Sequence, residues 1–174
     1  MSASRKQPPL NAPSAADVDV TDGGALAGMS VGLARGIAER AHQGQLYGSG
    51  EPYINHVRRV AAGVPLFARP VGWLHDVVER SGVDERALIA AGASPDECGA
   101  VRLLSAETSA RSDAAYMQHV RAIALSAGVA GRIARAVKRA DLLDHVTHRE
   151  THPEGWTPPY GAALVVLLMI MSEW

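Results

Sequence analysis

Residues 72–80 (GWLHDVVER) combine an apolar helical pattern with three side chains that could bind a metal ion or transfer a proton. His75 and Glu79 lie four residues apart, and Asp76 and Glu79 lie three apart, so a helix would bring them to one side. Because an imidazole and two carboxylates are costly to bury without partners, the pattern indicates a bound divalent cation. Such an ion needs further ligands from elsewhere in the chain.

Two distant stretches supply candidate ligands. His56 lies in the first turns of a predicted helix with an apolar inward side, and Asp141 lies in an apolar helical pattern with Asp144 three residues later. Together His56, His75, Asp76 and Asp141 would provide two imidazoles and two carboxylates. Such a set suits Mn²⁺, Fe²⁺ or Zn²⁺ and leaves room for water around a six-coordinate ion.

The elements that must position these residues are predicted to be helices. Only 5% of the 174 residues are aromatic, and no run of β-branched residues between turn signals suggests a strand. We therefore expect an all-α fold, with a disordered tail over residues 1–24 and a single domain over residues 25–174. The predicted helices begin near 25 or 30 and end at 42, and then cover 54–64, 70–80, 84–91, 95–104, 113–125, 127–148 and 160–173.

Composition limits the classes of partner. The formal net charge of -1 gives no general electrostatic case for binding nucleic acid. The longest apolar run, residues 162–171, is about half of the roughly 20 residues that a membrane-spanning helix needs, so we expect no membrane partner. The single Cys98 cannot form an internal disulfide, which favours a reducing, cytoplasmic location. A homodimer is left open.

Five short motifs narrow the interpretation further. They are AHQGQ at 41–45, PYINH at 52–56, LHDVVE at 74–79, KRADL at 138–142 and PEGW at 153–156. In these motifs and in the order of its histidines and aspartates, the chain resembles the HD-domain metal-dependent phosphohydrolases. It is most similar to the hydrolase domain of the RelA/SpoT group and to the small single-domain alarmone hydrolases. The resemblance covers residue 31 to the C-terminus.

The resemblance implies an all-helical HD fold that holds one divalent ion, usually Mn²⁺. The implied ligands are His56, His75, Asp76 and Asp141. Enzymes of that group remove pyrophosphate from the 3′ position of a guanosine nucleotide, so the expected partner is a (p)ppGpp-type alarmone, another nucleotide or another phosphorylated small molecule. A metal ion suits this reaction because it lowers the pKa of bound water and neutralises phosphate oxygens.

The resemblance and the residue types also suggest roles for five further side chains. Glu79 occupies the family's position for an acid beside the metal-bound water, where it would hold or deprotonate the nucleophile. Asp144 lies where the group commonly has an asparagine that faces the nucleotide. We expect phosphate contacts from His42 and Lys138 by charge, and stacking of Tyr47 on a base.

Two positions depart from the family pattern. Arg80 stands where the hydrolases usually have a second acid, and Leu46 stands where they commonly have an arginine that packs on guanine. Arg80 would either grip phosphate or block the catalytic role of the acid. The leading hypothesis is therefore a metal-dependent phosphohydrolase. The alternatives are a catalytically silent HD module that binds a nucleotide as a sensor or docking domain, and a 5′-nucleotidase-like enzyme acting on monophosphates.

Basic residues and histidines flank Asp141 on both sides, and they can be explained without a further metal site. The basic residues before it are Arg132, Arg135, Lys138 and Arg139. They indicate either a solvated helix face or help in binding an anionic substrate. The histidines after it are His145, His148 and His152. We interpret these as a solvated helix end, because histidine is favoured near the negative end of the helix dipole.

Overall fold

The computed structural model describes residues 28–47, 50–105, 112–148 and 156–173. The predicted tail over 1–24, His152 and most of the PEGW motif lie outside the described residues. The helices are α1 (Val31–Ala41), α2 (Tyr53–Ala62), α3 (Arg69–Leu74), α4 (Val77–Arg80), α5 (Glu85–Ala90), α6 (Pro95–Leu104), α7 (Asp113–Leu125), α8 (Gly128–His148) and α9 (Tyr160–Ser172). A short 3₁₀ turn, Leu66–Ala68, precedes α3.

The predicted all-α class is confirmed. Within the described ranges, extended pairing is limited to an isolated bridge between Leu46 and Pro52. None of the helices in those ranges combines the length and apolar character required to cross a membrane.

Capping side chains explain where several helices begin. The Ser30 side chain accepts a hydrogen bond from the Leu33 amide at the start of α1. At α6, Ser94 and Glu97 form a reciprocal capping box, and Pro95 occupies the first turn, where it removes no helical hydrogen bond. Because these signals are local, α6 covers the predicted residues 95–104.

The core is built around α8, which has 21 residues and is therefore about 30 Å long. Its neighbours are α2, α6, α7 and α9. The main apolar cluster joins α1, α2, α3 and α6 to one part of α8, through residues such as Val57, Leu74, Val101 and Val137. A second cluster joins the other part of α8 to α7 and α9, through Val120, Leu142 and Leu167.

The prediction of one continuous helix over residues 70–80 was wrong. Helix α3 ends at Leu74 and α4 begins at Val77, so His75 and Asp76 form a turn between two short helices. Asp76 has φ −106° and ψ −2°, far from helical values near −63° and −42°. The turn lets two consecutive side chains reach the same place, since Oδ2 of Asp76 lies 3.2 Å from Nε2 of His75.

Glycine at position 131 is required by the close approach of the loop before α8. A Cβ atom there would overlap the backbone carbonyl oxygen of Ser126. We predict that Gly131→Ala lowers the free energy of unfolding by about 1–3 kcal/mol in urea denaturation, because the backbone must shift. Gly36→Ala in α1 is the control, since its Cβ would meet only Nη1 of Arg40 at 3.6 Å. We expect this control to gain about 0.5–1 kcal/mol from helix propensity. Equal effects of the two substitutions would contradict the packing described.

Candidate metal centre

Four side-chain atoms from three parts of the fold converge in the interior. Nε2 of His56, from α2, lies 3.3 Å from Nε2 of His75, in the turn after α3. Oδ2 of Asp76 lies 3.8 Å from Nε2 of His56. Oδ1 of Asp141, from α8, lies 3.5 Å from Nε2 of His56 and 3.9 Å from Nε2 of His75. The structure therefore places Asp76 and Asp141 each within 4 Å of both imidazole nitrogens, and it groups His56, His75 and Asp76 as one potential set of metal ligands.

These separations fit one small divalent ion. Bonds from such an ion to histidine nitrogen or carboxylate oxygen are about 2.0–2.2 Å long, so neighbouring ligand atoms lie about 3.0–3.6 Å apart around it. The five separations that involve Nε2 of His56 or Nε2 of His75 run from 3.2 to 3.9 Å. Small side-chain adjustments would close the difference.

Hydrogen bonds behind the two rings direct their lone pairs inward. Nδ1 of His75 lies 2.9 Å from the carbonyl oxygen of Gly72, which can only accept, so this nitrogen donates. Nδ1 of His56 lies 2.7 Å from Oδ2 of Asp144 and donates to that carboxylate. With its proton on Nδ1, a neutral imidazole presents Nε2 as an acceptor. Two acceptors thus face each other beside two carboxylates, an arrangement that fits a cation.

The pKa shifts of the two histidines also indicate that the carboxylates favour a positive charge nearby. Burial lowers the pKa of His56. Burial also opposes a charge on His75, but the carboxylates of Asp76 and Asp141 outweigh it and raise the pKa of that ring. The carboxylates of Asp76 and Asp141 therefore favour a positive charge beside the imidazole rings.

Asp144 lies behind His56, where it supports the ring. Its oxygens accept from Nδ1 of His56 and from Nε and Nη2 of Arg59, the last two at 2.6 and 3.0 Å. Burial opposes the charge of Asp144, but these donors lower its pKa to about 2. We expected Asp144 to face a nucleotide. The structure instead engages both carboxylate oxygens with protein donors, because α2 packs directly against this part of α8.

His145 and Tyr47 occupy interior positions that differ from the sequence interpretation. His145 is buried, with Nε2 at 3.0 Å from Oδ1 of Asp141, so it is not part of a solvated helix end. Its ring stacks on Tyr160 with centroids 4.1 Å apart. Tyr47 was expected to stack on a base, but it is buried, stacks on His56 and places its hydroxyl 2.9 Å from Nδ1 of His145. His56, Asp141 and His145 form a second potential ligand group that overlaps the first.

The two residues expected to bind phosphate by charge are also buried. Nζ of Lys138 donates to Oδ2 of Asp141 at 2.8 Å, and although burial opposes its charge, Asp141 raises its pKa. His42 donates from Nδ1 to Oε1 of Gln45, and burial lowers its pKa, so a neutral ring is favoured. Its buried Nε2 has no hydrogen-bond partner in the described part of the chain. The buried surroundings of His42 therefore do not favour a charged ring that would bind phosphate.

Glu79 and Arg80 lie at the exposed edge of the centre. Although Glu79 is exposed as a whole residue, partial desolvation and the neighbouring Asp76 raise its pKa. The guanidinium of Arg80 lies over the ring of Tyr53, with Cζ 4.5 Å from the ring centroid. Its Nε is 3.7 Å from Oδ2 of Asp76, the same oxygen that accepts from the Tyr53 hydroxyl. Arg80 therefore contacts a candidate ligand directly.

The sequence interpretation assigned no partner to two residues that surround the ligands, Tyr53 and Arg59, and it assigned a third, His145, to a solvated helix end. Tyr53 belongs to the PYINH motif, and Arg59 lies one helical turn after His56, but neither position reveals its partner. The spacing of four residues between Asp141 and His145 indicated a shared helix face and the alternative of a second metal site, but the solvated helix end was preferred.

Comparisons with known proteins support the fold. No protein-family model matches the sequence, and no curated protein matches it either. Among solved structures, the chain is similar to a metazoan ortholog of SpoT that is described as hydrolysing ppGpp and playing a role in starvation responses. The TM-score is 0.64 at 22% sequence identity, and the alignment covers 82% of this chain and 92% of that chain. This likeness shows that the chain shares the helical fold of that protein, in agreement with the predicted fold.

The support of His56 by Asp144 generates a prediction about metal affinity. We expect Asp144→Asn to weaken Mn²⁺ binding about 10–100-fold in isothermal titration calorimetry, because the ring loses its charged acceptor. Asp96→Asn is the matched control, since Asp96 is exposed in the first turn of α6 and makes the same charge change. Circular dichroism of both variants would establish that they fold. Unchanged affinity in Asp144→Asn, or an equal loss in the control, would contradict the proposed support.

Proposed function

We propose that this protein is a metal-dependent phosphohydrolase that removes phosphate or pyrophosphate from a nucleotide. The observation that carries the proposal is the inward-facing pair of Nε2 atoms of His56 and His75 beside Asp76 and Asp141. A divalent ion, most simply Mn²⁺, supplies the charge that lowers the pKa of bound water and neutralises phosphate oxygens. Hydrolysis of ppGpp by the structurally similar SpoT ortholog makes a (p)ppGpp-type alarmone the first substrate to test.

In this proposal the surrounding residues hold the ligands and handle the proton. The Gly72 carbonyl and Asp144 fix the orientations of the two rings. Glu79 is the candidate base, since its edge position and raised pKa suit a group that takes a proton from water. Leu46 is 66% exposed and offers a base an apolar surface in place of the arginine expected from the family. Without a positively charged side chain at this position, the site would bind the base less strongly and would be less selective for guanine.

A nucleotide panel tests the reaction itself. We expect protein loaded with Mn²⁺ to release orthophosphate or pyrophosphate from at least one of ppGpp, pppGpp, GTP, GDP and GMP, measured by ion chromatography. Asp141→Asn, which replaces a ligand, and removal of metal by EDTA should each lower the rate at least about 100-fold, because the charge on the phosphate is no longer neutralised. Asp96→Asn should retain the wild-type rate. Release from no member of the panel would contradict the proposal.

A second candidate function follows from the position of Arg80. Its guanidinium rests on Tyr53 and approaches Asp76, so it adds positive charge where the ion would bind. This observation favours a catalytically silent HD module that binds a nucleotide as a sensor or docking domain. The same contacts would also allow Arg80 to hold a substrate phosphate.

Charge reversal at position 80 distinguishes the two candidates. For the phosphohydrolase, we expect Arg80→Asp to lower kcat/KM for the preferred nucleotide about tenfold or more, because a carboxylate repels phosphate. The silent module predicts the opposite, namely an inactive wild-type protein and alarmone hydrolysis that appears in the variant. Arg86→Asp makes the same charge change on the exposed side of α5 and should leave the rate unchanged under either candidate.

A further inference from the structure

A cavity lies along α8, on a face of the helix different from that of Asp141. It has a volume of about 650 Å³, within the range typical of small-molecule pockets. Its walls come from α2, the 3₁₀ turn, α8 and the end of α9. None of the four candidate metal ligands lines it.

Positive charge dominates the lining of this cavity. Its arginines are Arg59, Arg132, Arg135 and Arg139, whereas Asp144 is the one carboxylate among the lining residues that the structure describes. Arg132, Arg135 and Arg139 are spaced so that they project from the same side of α8. Like charges at this spacing repel one another, so the arrangement is unfavourable until an anion occupies it. The basic cluster noted in the sequence is thus divided, because Lys138 faces Asp141 instead.

Two of these arginines make no hydrogen bond or ion pair with a carboxylate or carbonyl group in the part of the chain that the structure describes. Arg59 is held by Asp144, and Arg135 donates to the carbonyl oxygen of Ser126. Arg132 lies over the ring of Phe67, with Cζ 4.8 Å from the ring centroid. Arg139 makes no hydrogen bond or ion pair with any residue of the described ranges. Guanidinium groups whose N–H donors are not taken up by carboxylates or carbonyl groups can bind phosphate oxygens through paired hydrogen bonds.

Apart from Thr147 and His148, the remaining lining is apolar and includes an exposed aromatic ring. Phe67 and Leu143 are 47% and 49% exposed, and Ala136, Ala140 and Met171 complete this surface. The stacked pair of Phe67 and Arg132 offers a flat surface to a planar ring, since both aromatic and guanidinium groups stack on such rings.

We infer that this cavity binds a nucleoside polyphosphate, with phosphates on Arg132 and Arg139 and the base against Phe67 and Leu143. The volume, the excess of arginines and the adjoining apolar platform together match one polyanion attached to one planar ring. The cavity also shares Arg59 and Asp144 with the support of His56. A bound polyanion would therefore compete with Asp144 for Arg59.

Calorimetry with ATP in EDTA tests this site separately from the proposed reaction, because binding there needs no metal. We expect saturable ATP binding to the full chain and to Asp141→Asn alike. The double variant Arg132→Gln/Arg139→Gln should bind ATP at least about tenfold more weakly. Arg86→Gln/Arg121→Gln removes two exposed arginines outside the cavity and should bind as the wild type does. Inorganic triphosphate should bind more weakly than ATP, because it lacks the ring.

Nuclear magnetic resonance of ¹³C-methyl methionine locates the bound ATP. Met171 lines the cavity, whereas Met29 is buried in the main core. We expect ATP to shift the Met171 methyl signal, assigned with Met171→Leu, and to leave the Met29 signal in place. The shift should disappear in Arg132→Gln/Arg139→Gln. ATP binding of equal strength in that variant, binding without a shift at Met171, or no binding to the wild type would each overturn the inference. None of these outcomes bears on phosphate release in the nucleotide panel.

Discussion

The approach of two imidazole nitrogens to 3.3 Å is the constraint on which the candidate centre depends. When both rings are neutral, with their protons on Nδ1, both nitrogens present lone pairs, and the arrangement is unfavourable unless positive charge lies beside them. It also requires α2 and the turn after α3 to lie close together. Gly72 permits this, because a Cβ atom at that position would already be 3.0 Å from Cα of Ala61. The same residue provides the carbonyl that orients His75.

Around this pair, each carboxylate lies between two nitrogen-bearing side chains. Asp141 lies between Lys138 and His145, and Asp144 lies between His56 and Arg59. Buried charges in such a network depend on one another, since removal of one partner leaves the other without compensation. This interdependence accounts for the interior positions of residues that, by type alone, would be expected at the surface.

Local sequence signals made much of this fold predictable. Contacts between residues far apart in the sequence could not be predicted in the same way. Helices α6 and α7 begin and end as predicted, because serine caps and proline act within a few residues. The break at His75 and Asp76 has no glycine or proline to mark it. The order of histidines and aspartates, together with the family resemblance, led to the prediction that the four candidate ligands form one set. In contrast, Asp144 meets its partners across 85 and 88 residues of sequence, a pairing that no local pattern encodes.

Helix α8 bears two adjoining sets of polar groups, one around Asp141 and one around Arg139. The hydrogen-bonded backbone of α8 fixes the angle between the two sets about the helix axis. One rigid helix therefore positions both. A slight rotation about its long axis, or the gain or loss of a single residue within it, would displace the two sets together. Sequence change along this helix is therefore doubly restricted, and an insertion tolerated in a surface loop would not be tolerated here.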